Sequence, residues 1–235
     1  MKIPRCASLS ACLQWDKRMS ARRCRAVRNG GEQNQTGGIK TTERRVLQRG
    51  AGKDVLFLHG YGARKECFLP QINYFSRFCR VTAFDFTGFG DAPPLASPWA
   101  VDDYAAETRD VVRSLGLSRP HVVAHSFGAR VAVKIAAADE GFFGKMVLTG
   151  AAGIVPRRTL GYHAKVKAYR LVRKFFPAYA ERHFGSAEYR ALSPVMRESY
   201  KKIVNEDLRA AAADIKNPVL PVSYTHLTLP TNSRV

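Results

Sequence analysis

Four short apolar runs recur along the middle of the chain and predict buried β-strands. They are DVLFLHG (54–60), RVTAFDF (80–86), HVVAHS (121–126) and KMVLTGAAG (145–153). A continuous apolar run is typical of a strand that is covered on both faces of a sheet, whereas a half-exposed strand alternates. A weaker run, RRVLQRG (44–50), predicts one further strand.

Apolar positions at helical spacing lie between these runs. Residues 102–115 form an amphipathic pattern that ends at Gly116, and residues 127–139 form another with Gly141 just beyond its end. Strands that alternate with helices predict an α/β fold, with a mostly parallel sheet and helices on both faces.

Polar residues follow the predicted strands directly. His59 and Gly60 end the first buried run, Asp85 ends the second, and Ser126 ends the third. Because functional sites of parallel sheets lie at the carboxyl ends of the strands, we expect these residues to lie close together.

Ser126 is the strongest candidate for chemistry, since it lies between a predicted strand and a predicted helix. Ala124 and Gly128 flank it at two residues on either side. Small residues at these positions let the chain pass closely while a strained serine lifts its hydroxyl clear of the sheet. The helix that follows directs N–H groups at the site and favours developing negative charge. The alternative is that Ser126 only caps the helix.

Three motifs in this order resemble the α/β-hydrolase superfamily, and the resemblance covers about residues 45–221. HGYG (59–62) resembles the oxyanion loop, DFTGFGDAP (85–93) resembles the D-x-x-G-x-G-x-S stretch, and AHSFGA (124–129) resembles the nucleophile elbow. The resemblance implies an α/β-hydrolase fold with a helical cap, a cofactor-free mechanism and a small acyl substrate.

The resemblance also implies roles for individual residues. Ser126 is the expected nucleophile, and the main-chain N–H groups of Tyr61 and Phe127 are the expected oxyanion hole. The side chains of Tyr61 and Phe127 are then free to act in packing alone. His59 and Gly60 are expected to support the oxyanion loop, and for His59 this is favoured over a role as general base.

Neighbouring residues have structural interpretations. His125 is expected to point away from Ser126, and Asp85 is expected to order its own glycine turn. Ala124 replaces the usual first glycine of the elbow but stays small, and Asp91 stands where a serine is common. We expect both departures to matter little.

The composition divides the chain into five predicted segments. They are a basic, disordered arm (1–44), the hydrolase core (45–155), the helical cap (156–213), the start of a return strand (214–221) and an artefactual tail (222–235).

The net charge of +19 lies mainly outside the predicted core. Residues 1–50 hold 12 basic and 3 acidic residues, residues 51–155 hold 11 and 10, and residues 156–221 hold 14 and 6. A nearly neutral core argues against a nucleic-acid partner. The basic arm lacks the interleaved aromatic residues of single-strand binders, although an RNA- or lipid-binding tail is the alternative.

Cysteine usage and hydropathy indicate the cytoplasm. The five cysteines are odd in number and form no C-x-x-C pair, so neither a disulfide framework nor a metal site is expected. No apolar run reaches the roughly 18 residues that a membrane helix needs. The oligomeric state is left open.

The predicted cap contains one apolar helical face and one basic surface. Most of the apolar face is expected to pack on the core, and a few of its residues are expected to line a substrate pocket. The face consists of Tyr162, Val166, Tyr169, Val172 and Phe176. The basic residues are Lys165, Lys167, Arg170, Arg173 and Lys174. They are expected to be solvated, and attraction of an anionic substrate is the alternative.

The acid and base of the implied triad are predicted to be absent from this chain. DIKNPVLP (214–221) resembles the strand that precedes the acid, whereas VSYTHLTLPT (222–231) resembles a translated transposase sequencing adapter. His226 is therefore not the expected base, and His163 and His183 lie where the family does not place one. The chain as printed is expected to be inactive and poorly soluble.

The favoured function of the parent protein is hydrolysis of an ester, lactone or related acyl bond. Carbon–carbon bond hydrolysis of a diketone is the alternative within enzymes, since it uses the same groups. A non-catalytic binding protein on a hydrolase scaffold is the alternative outside them.

The gene itself tests the interpretation of the chain's end. After Pro221 an independently cloned copy should encode the rest of an apolar strand, then a turn with an aspartate, then a loop with a histidine. Sequencing genomic DNA checks this. A copy in which VSYTHLTLPT continues into a longer reading frame would contradict it.

Overall fold

The structure is a computed structural model that describes residues 44–151, 153, 174–175 and 187–222. The predicted basic arm lies outside the described residues except for its last position. The apolar face of the predicted cap also lies outside them, as do four of its five basic residues and the tail after residue 222.

Within the described residues, six strands form one sheet. They are β1 (Val46–Arg49), β2 (Lys53–Leu58), β3 (Cys79–Phe84), β4 (His121–His125), β5 (Met146–Thr149) and β6 (Val219–Val222). The strand order is β1-β3-β2-β4-β5-β6, and every neighbouring pair is parallel except β1 and β3. The predicted mostly parallel α/β fold is confirmed, and the antiparallel β1 is the departure from a wholly parallel sheet.

Helices connect these strands. They are α1 (Leu69–Phe75), α2 (Val101–Ser114), α3 (Phe127–Ala138), α4 (Ala187–Ala191), α5 (Pro194–Asn205) and α6 (Arg209–Ala213), with a 3₁₀ turn at Lys65–Phe68. The sequence pattern predicts α2 and α3 to within one residue but does not predict α1. None of the helices in the described part of the chain is long and apolar enough to cross a membrane.

The two faces of the sheet carry separate apolar cores. In the central strand β2, Leu56 and Leu58 pack on the face that also holds α2 and α3, whereas Val55 and Phe57 pack with Ile72 of α1. Alternation of side chains along a strand sends neighbours to opposite faces, so an unbroken apolar run fills both cores.

The described part of the predicted cap folds back onto the core. The guanidinium of Arg130 in α3 donates from Nη1 to the carbonyl oxygens of Ile203, at 2.8 Å, and Glu206, at 3.0 Å. The hydroxyl of Ser199 in α5 accepts the Trp99 N–H at 2.8 Å. Because these contacts satisfy carbonyls at the end of α5, the helix is held against the start of α3 and α2.

An ion pair between a partly exposed arginine and a buried aspartate joins β2 and β3 near their amino-terminal ends. Arg80 of β3 lies opposite Asp54 of β2, and Nη2 donates to Oδ2 at 2.9 Å. The Ser118 N–H donates to the same oxygen at 3.0 Å. The hydrogen bond from Arg80 lowers the pKa of Asp54, against the opposing effect of burial.

Substitution Arg80→Met should reduce stability in a pH-dependent way. A carboxylate with a lowered pKa in the folded protein stabilises it above its unfolded pKa of about 3.9, and the contribution is lost as the pH falls through the folded pKa. The variant should therefore differ most from the wild type at neutral pH and converge with it in acid. Urea unfolding at several pH values measures this, and a difference independent of pH would contradict it.

Candidate active site

Ser126 occupies a strained turn between β4 and α3. Its backbone has φ 49° and ψ −102°, in the region that favours glycine. Such a conformation costs about 1–3 kcal/mol and persists only where surrounding contacts impose it. Here the Ser126 N–H donates to the Thr149 carbonyl at 3.0 Å. The Ser126 side chain accepts no capping hydrogen bond from the described part of α3, so helix capping does not account for the serine.

Gly128 brings α3 against the end of β2. A Cβ at this position would overlap the carbonyl oxygen of Leu58. The Gly128 N–H donates to the His59 carbonyl at 3.1 Å, which ties the first turn of the helix to the loop after β2. On the other side of Ser126, Ala124 is completely buried, so the small residue there fits its site.

The loop after β2 passes directly beside Ser126. A Cβ at Gly60 would lie 3.7 Å from the Cβ of Ser126 and 3.0 Å from Cδ2 of His125. The Gly60–Tyr61 peptide is therefore next to the serine. Its carbonyl accepts from the Ala63 N–H at 3.1 Å and contacts Nδ1 of His59 at 2.8 Å.

These carbonyl contacts fix the direction of the Tyr61 N–H. In a trans peptide the C=O and N–H of one plane point in opposite directions, so holding the Gly60 carbonyl orients the Tyr61 N–H. The same holds on α3, where the Ser126 carbonyl accepts from the Arg130 N–H at 3.4 Å and the Phe127 N–H points the other way. Phe127 begins the helix, so its N–H has no carbonyl partner within the helix.

His59 is buried, with only 1% of its surface exposed. The Phe86 N–H donates to Nε2 at 3.2 Å, so Nε2 is an acceptor and the proton lies on Nδ1, which donates to the Gly60 carbonyl. Burial lowers the pKa of His59, in agreement with a neutral ring. Both ring nitrogens are engaged by main-chain groups of the two loops.

His125 joins the end of β4 to β5. Its Nδ1 lies 3.1 Å from the hydroxyl of Thr149, and burial lowers its pKa. Like His59, it is held by the sheet and its loops. His121, the remaining histidine of the described residues, accepts the Lys145 N–H at 3.0 Å.

Within the described residues, no histidine or carboxylate forms a hydrogen bond with the Ser126 hydroxyl. His163, His183 and His226 lie outside the described residues. The predicted absence of the triad acid and base therefore stays a prediction.

Aromatic side chains surround Tyr61. Its ring lies 4.9 Å from that of Phe89, 5.7 Å from Phe127 and 5.1 Å from Tyr200. Its hydroxyl donates to the Met196 carbonyl at 3.0 Å. Burial raises the pKa of Tyr61 to about 12, so the phenol stays protonated near neutral pH. Helix α5, from the predicted cap, thus contacts Tyr61, whose main-chain peptide with Gly60 lies next to Ser126.

The sequence analysis missed an ionic cluster of the buried Lys65 and Asp85 with Asp91 and Glu66, which lies below the loop after β2. Asp85 accepts the Asp91 N–H at 2.8 Å, as expected for a residue that orders its own glycine turn. It also binds the side chain of Lys65 at 2.8 Å. Lys65 lies in the polar stretch ARKEC, which carries no periodic signal that distinguishes a buried lysine from an exposed one.

Comparison with known families and curated proteins agrees with the fold. The model of the alpha/beta hydrolase family matches residues 55–231, more than half of the chain. This match runs past residue 222, where the predicted tail begins, and that boundary stays a prediction. A (E)-2-((N-methylformamido)methylene)succinate hydrolase from Acinetobacter baylyi is 28% identical over 85 residues, which are 36% of this chain and 32% of the relative.

Two further similarities were found. A 2-hydroxy-6-oxo-6-(2'-aminophenyl)hexa-2,4-dienoic acid hydrolase from Metapseudomonas resinovorans is 27% identical over 51% of this chain and 41% of its own length. The chain therefore spans less than half of either curated relative. A solved esterase from Exiguobacterium antarcticum superposes with a TM-score of 0.58 and 22% identity, over 75% of each chain, and shares the fold.

Substitution Gly128→Ala should destabilise the protein by about 1–3 kcal/mol, because the added methyl group overlaps main chain that cannot move without shifting β2. Thermal or urea unfolding measures the loss. Gly141→Ala is the matched control, since its Cβ would approach only a side-chain oxygen of the exposed Asp139, at 3.3 Å, and no main chain. The control should stay within about 1 kcal/mol of the wild type. Equal stability of the two variants would contradict the assigned close approach.

Proposed function

Because the chain belongs to the α/β-hydrolase family, we propose that it is a serine hydrolase that cleaves an ester, lactone or related acyl bond of a small molecule, with Ser126 as nucleophile. The strained backbone of Ser126 carries the proposal. A non-glycine residue at positive φ lowers stability, and no capping bond within the described residues offsets that cost. The strain is accounted for if it places the Ser126 hydroxyl clear of the sheet, beside the N–H groups of Tyr61 and Phe127.

The proposed first step is attack by Oγ of Ser126 on the substrate carbonyl. The carbonyl oxygen gains negative charge and accepts hydrogen bonds from the N–H groups of Tyr61 and Phe127. The amino terminus of α3 adds its partial positive charge at the same point. Each such donor typically contributes about 10²–10³ in rate.

The serine proton needs an acceptor, which is a histidine oriented by a carboxylate in this class of enzyme. His59 is unsuited to this step because main-chain groups engage both of its ring nitrogens. We assign His59 and Gly60 to the support of the oxyanion loop, since their hydrogen bond orients the Tyr61 N–H. The base and acid are proposed to come from residues beyond those described.

Residues 156–213 are proposed to form a cap over the site. The contacts of Tyr61 with Met196 and Tyr200 support this, since they bring α5 to the oxyanion loop. The aromatic surroundings of Tyr61 favour a substrate with an apolar acyl part. The proposed steps use no cofactor. The proposed location is the cytoplasm, because the five cysteines are odd in number and form no C-x-x-C pair.

Carbon–carbon bond hydrolysis is the second candidate. The similarity to a hydrolase named for a 6-oxo-dienoic acid favours it, since a ketone carbonyl presents the same target to Ser126 as an ester carbonyl. Analysis of the products separates the two, because only acyl hydrolysis releases an alcohol or amine.

Substitution Ser126→Ala in the protein expressed from the intact gene should lower kcat toward a short p-nitrophenyl ester by roughly 10⁴–10⁶. It should also abolish covalent labelling by a fluorophosphonate, because the attacking oxygen is removed. Ser114→Ala, at an exposed position of α2, is the matched control and should keep both properties.

Two results would contradict the proposal. Labelling that persists in the Ser126→Ala variant would show that another residue reacts. A wild-type protein that is folded, binds small acyl compounds and resists labelling would favour the non-catalytic scaffold.

A further inference from the structure

Lys65 is a buried cation for which the proposed reaction has no direct use. Only 4% of its surface is exposed. Its Nζ lies 2.8 Å from Asp85 Oδ2, 2.7 Å from Asp91 Oδ2 and 2.9 Å from Glu66 Oε1. A lysine is almost never buried to this extent unless carboxylates pair with it, so this site is built around the charge.

Asp85 connects the cation to the main chain of two loops. It has no exposed surface, and its Oδ1 accepts the Lys65 N–H at 2.6 Å while its Oδ2 accepts the Asp91 N–H at 2.8 Å. The loop after β2 and the loop after β3 are therefore bound to one carboxylate. Gly90 makes room for it, because a Cβ there would overlap the Asp85 side chain.

The loop that carries the Tyr61 N–H is anchored at both ends by these contacts. At its start, His59 bonds to the Phe86 N–H and to the Gly60 carbonyl. At its end, Lys65 is held by Asp85 through both its main-chain N–H and its ammonium group. Between these anchors the chain has only to turn through Gly60–Arg64, so the position of Lys65 restricts the path of the Gly60–Tyr61 peptide.

We propose that Lys65, acting through Asp85, is a positioning residue that holds the Tyr61 N–H in the geometry needed to donate a hydrogen bond to an oxyanion. The inference rests on the proposed function for the role of that N–H. The residue acts on the loop and touches neither Ser126 nor the substrate.

The charge of Lys65 is essential to this role. Arg64 also reaches the cluster, with Nη2 3.1 Å from Asp91 Oδ2. Hydrogen bonds from Lys65 lower the pKa of Asp91, and the carboxylates raise the pKa of Lys65 despite its burial. Without the ammonium group, Asp85 is left buried and uncompensated, and the ion pair that joins the loop after β2 to the loop after β3 is lost.

The chain offers a matched control in the pair Asp54–Arg80. It also joins a buried carboxylate to a cation across β2 and β3, but at the opposite edge of the sheet. Lys65→Met and Arg80→Met each leave one buried carboxylate without its cation. The two variants therefore separate a local effect on the loop from a general loss of stability.

Hydrogen exchange of the amides in residues 59–64 is the decisive measurement, made under native conditions on the protein from the intact gene. Lys65→Met should raise the exchange rate of this segment about tenfold relative to Arg80→Met, because the loop opens without global unfolding. It should also lower the rate of fluorophosphonate labelling of Ser126 by about tenfold, the size of effect expected for a misplaced donor. Equal exchange of the segment in the two variants would overturn the inference.

A double variant covers the case in which Lys65→Met fails to fold. Lys65→Met combined with Asp85→Asn removes the unpaired charge, which commonly restores much of the stability. The loop should still exchange faster than in Arg80→Met, and wild-type protection in the double variant would overturn the inference. If the wild type is not labelled at all, the proposed function fails, while the exchange comparison still decides whether Lys65 holds the loop.

Discussion

The close approach of α3 to the end of β2 is the constraint on which the site depends. Gly128 lies against the Leu58 carbonyl and donates to the carbonyl of His59. Because α3 is held this close to β2, the single residue between the end of β4 and the start of α3 cannot form an ordinary turn. Ser126 therefore takes a backbone conformation that an L-residue rarely adopts, and the energy of core packing offsets its cost. A residue larger than glycine at 128 would overlap the Leu58 carbonyl and so force the helix away from β2.

The two N–H groups beside Ser126 are oriented by carbonyls on their far sides. Rigid peptide planes transmit the orientation: contacts to the Gly60 carbonyl set the Tyr61 N–H, and the first turn of α3 sets the Phe127 N–H. In the proposed mechanism both donors are left for the substrate, while their directions are already determined. Preorganised donors of this kind need no reorganisation when charge develops, which is the property that makes an oxyanion site effective.

The sequence pattern predicted the features that depend on local order. Buried apolar runs that alternate with amphipathic segments were sufficient for the α/β fold. The three motifs, with the small residues around Ser126, were sufficient for the position of β4 and α3 and for the family. The antiparallel pairing of β1 with β3 was not predictable, since a short strand with two exposed residues carries no signal of direction. The contact of Tyr61 with Met196 was not predictable either, because 135 residues separate them.

The ionic cluster escaped sequence reasoning for a physical reason. Burial of Lys65 follows from the convergence of two loops, and lysine in a polar stretch is normally solvated. The sequence analysis gave little weight to Asp91 in place of serine, yet its carboxylate binds both Lys65 and Arg64.

A buried ion pair is seldom more stabilising than well-packed apolar residues of similar size. Its presence below the oxyanion loop is therefore poorly explained by stability alone. Apolar side chains at 65 and 85 would fill the same space but would leave the Lys65 and Asp91 N–H groups without their acceptor. A carboxylate accepts from several directions and so binds two loops at fixed positions, and the cation makes its burial tolerable. The cluster then fixes the position of the loop beside Ser126. The proposed role of the Tyr61 N–H requires a more exact position for this loop than folding alone does.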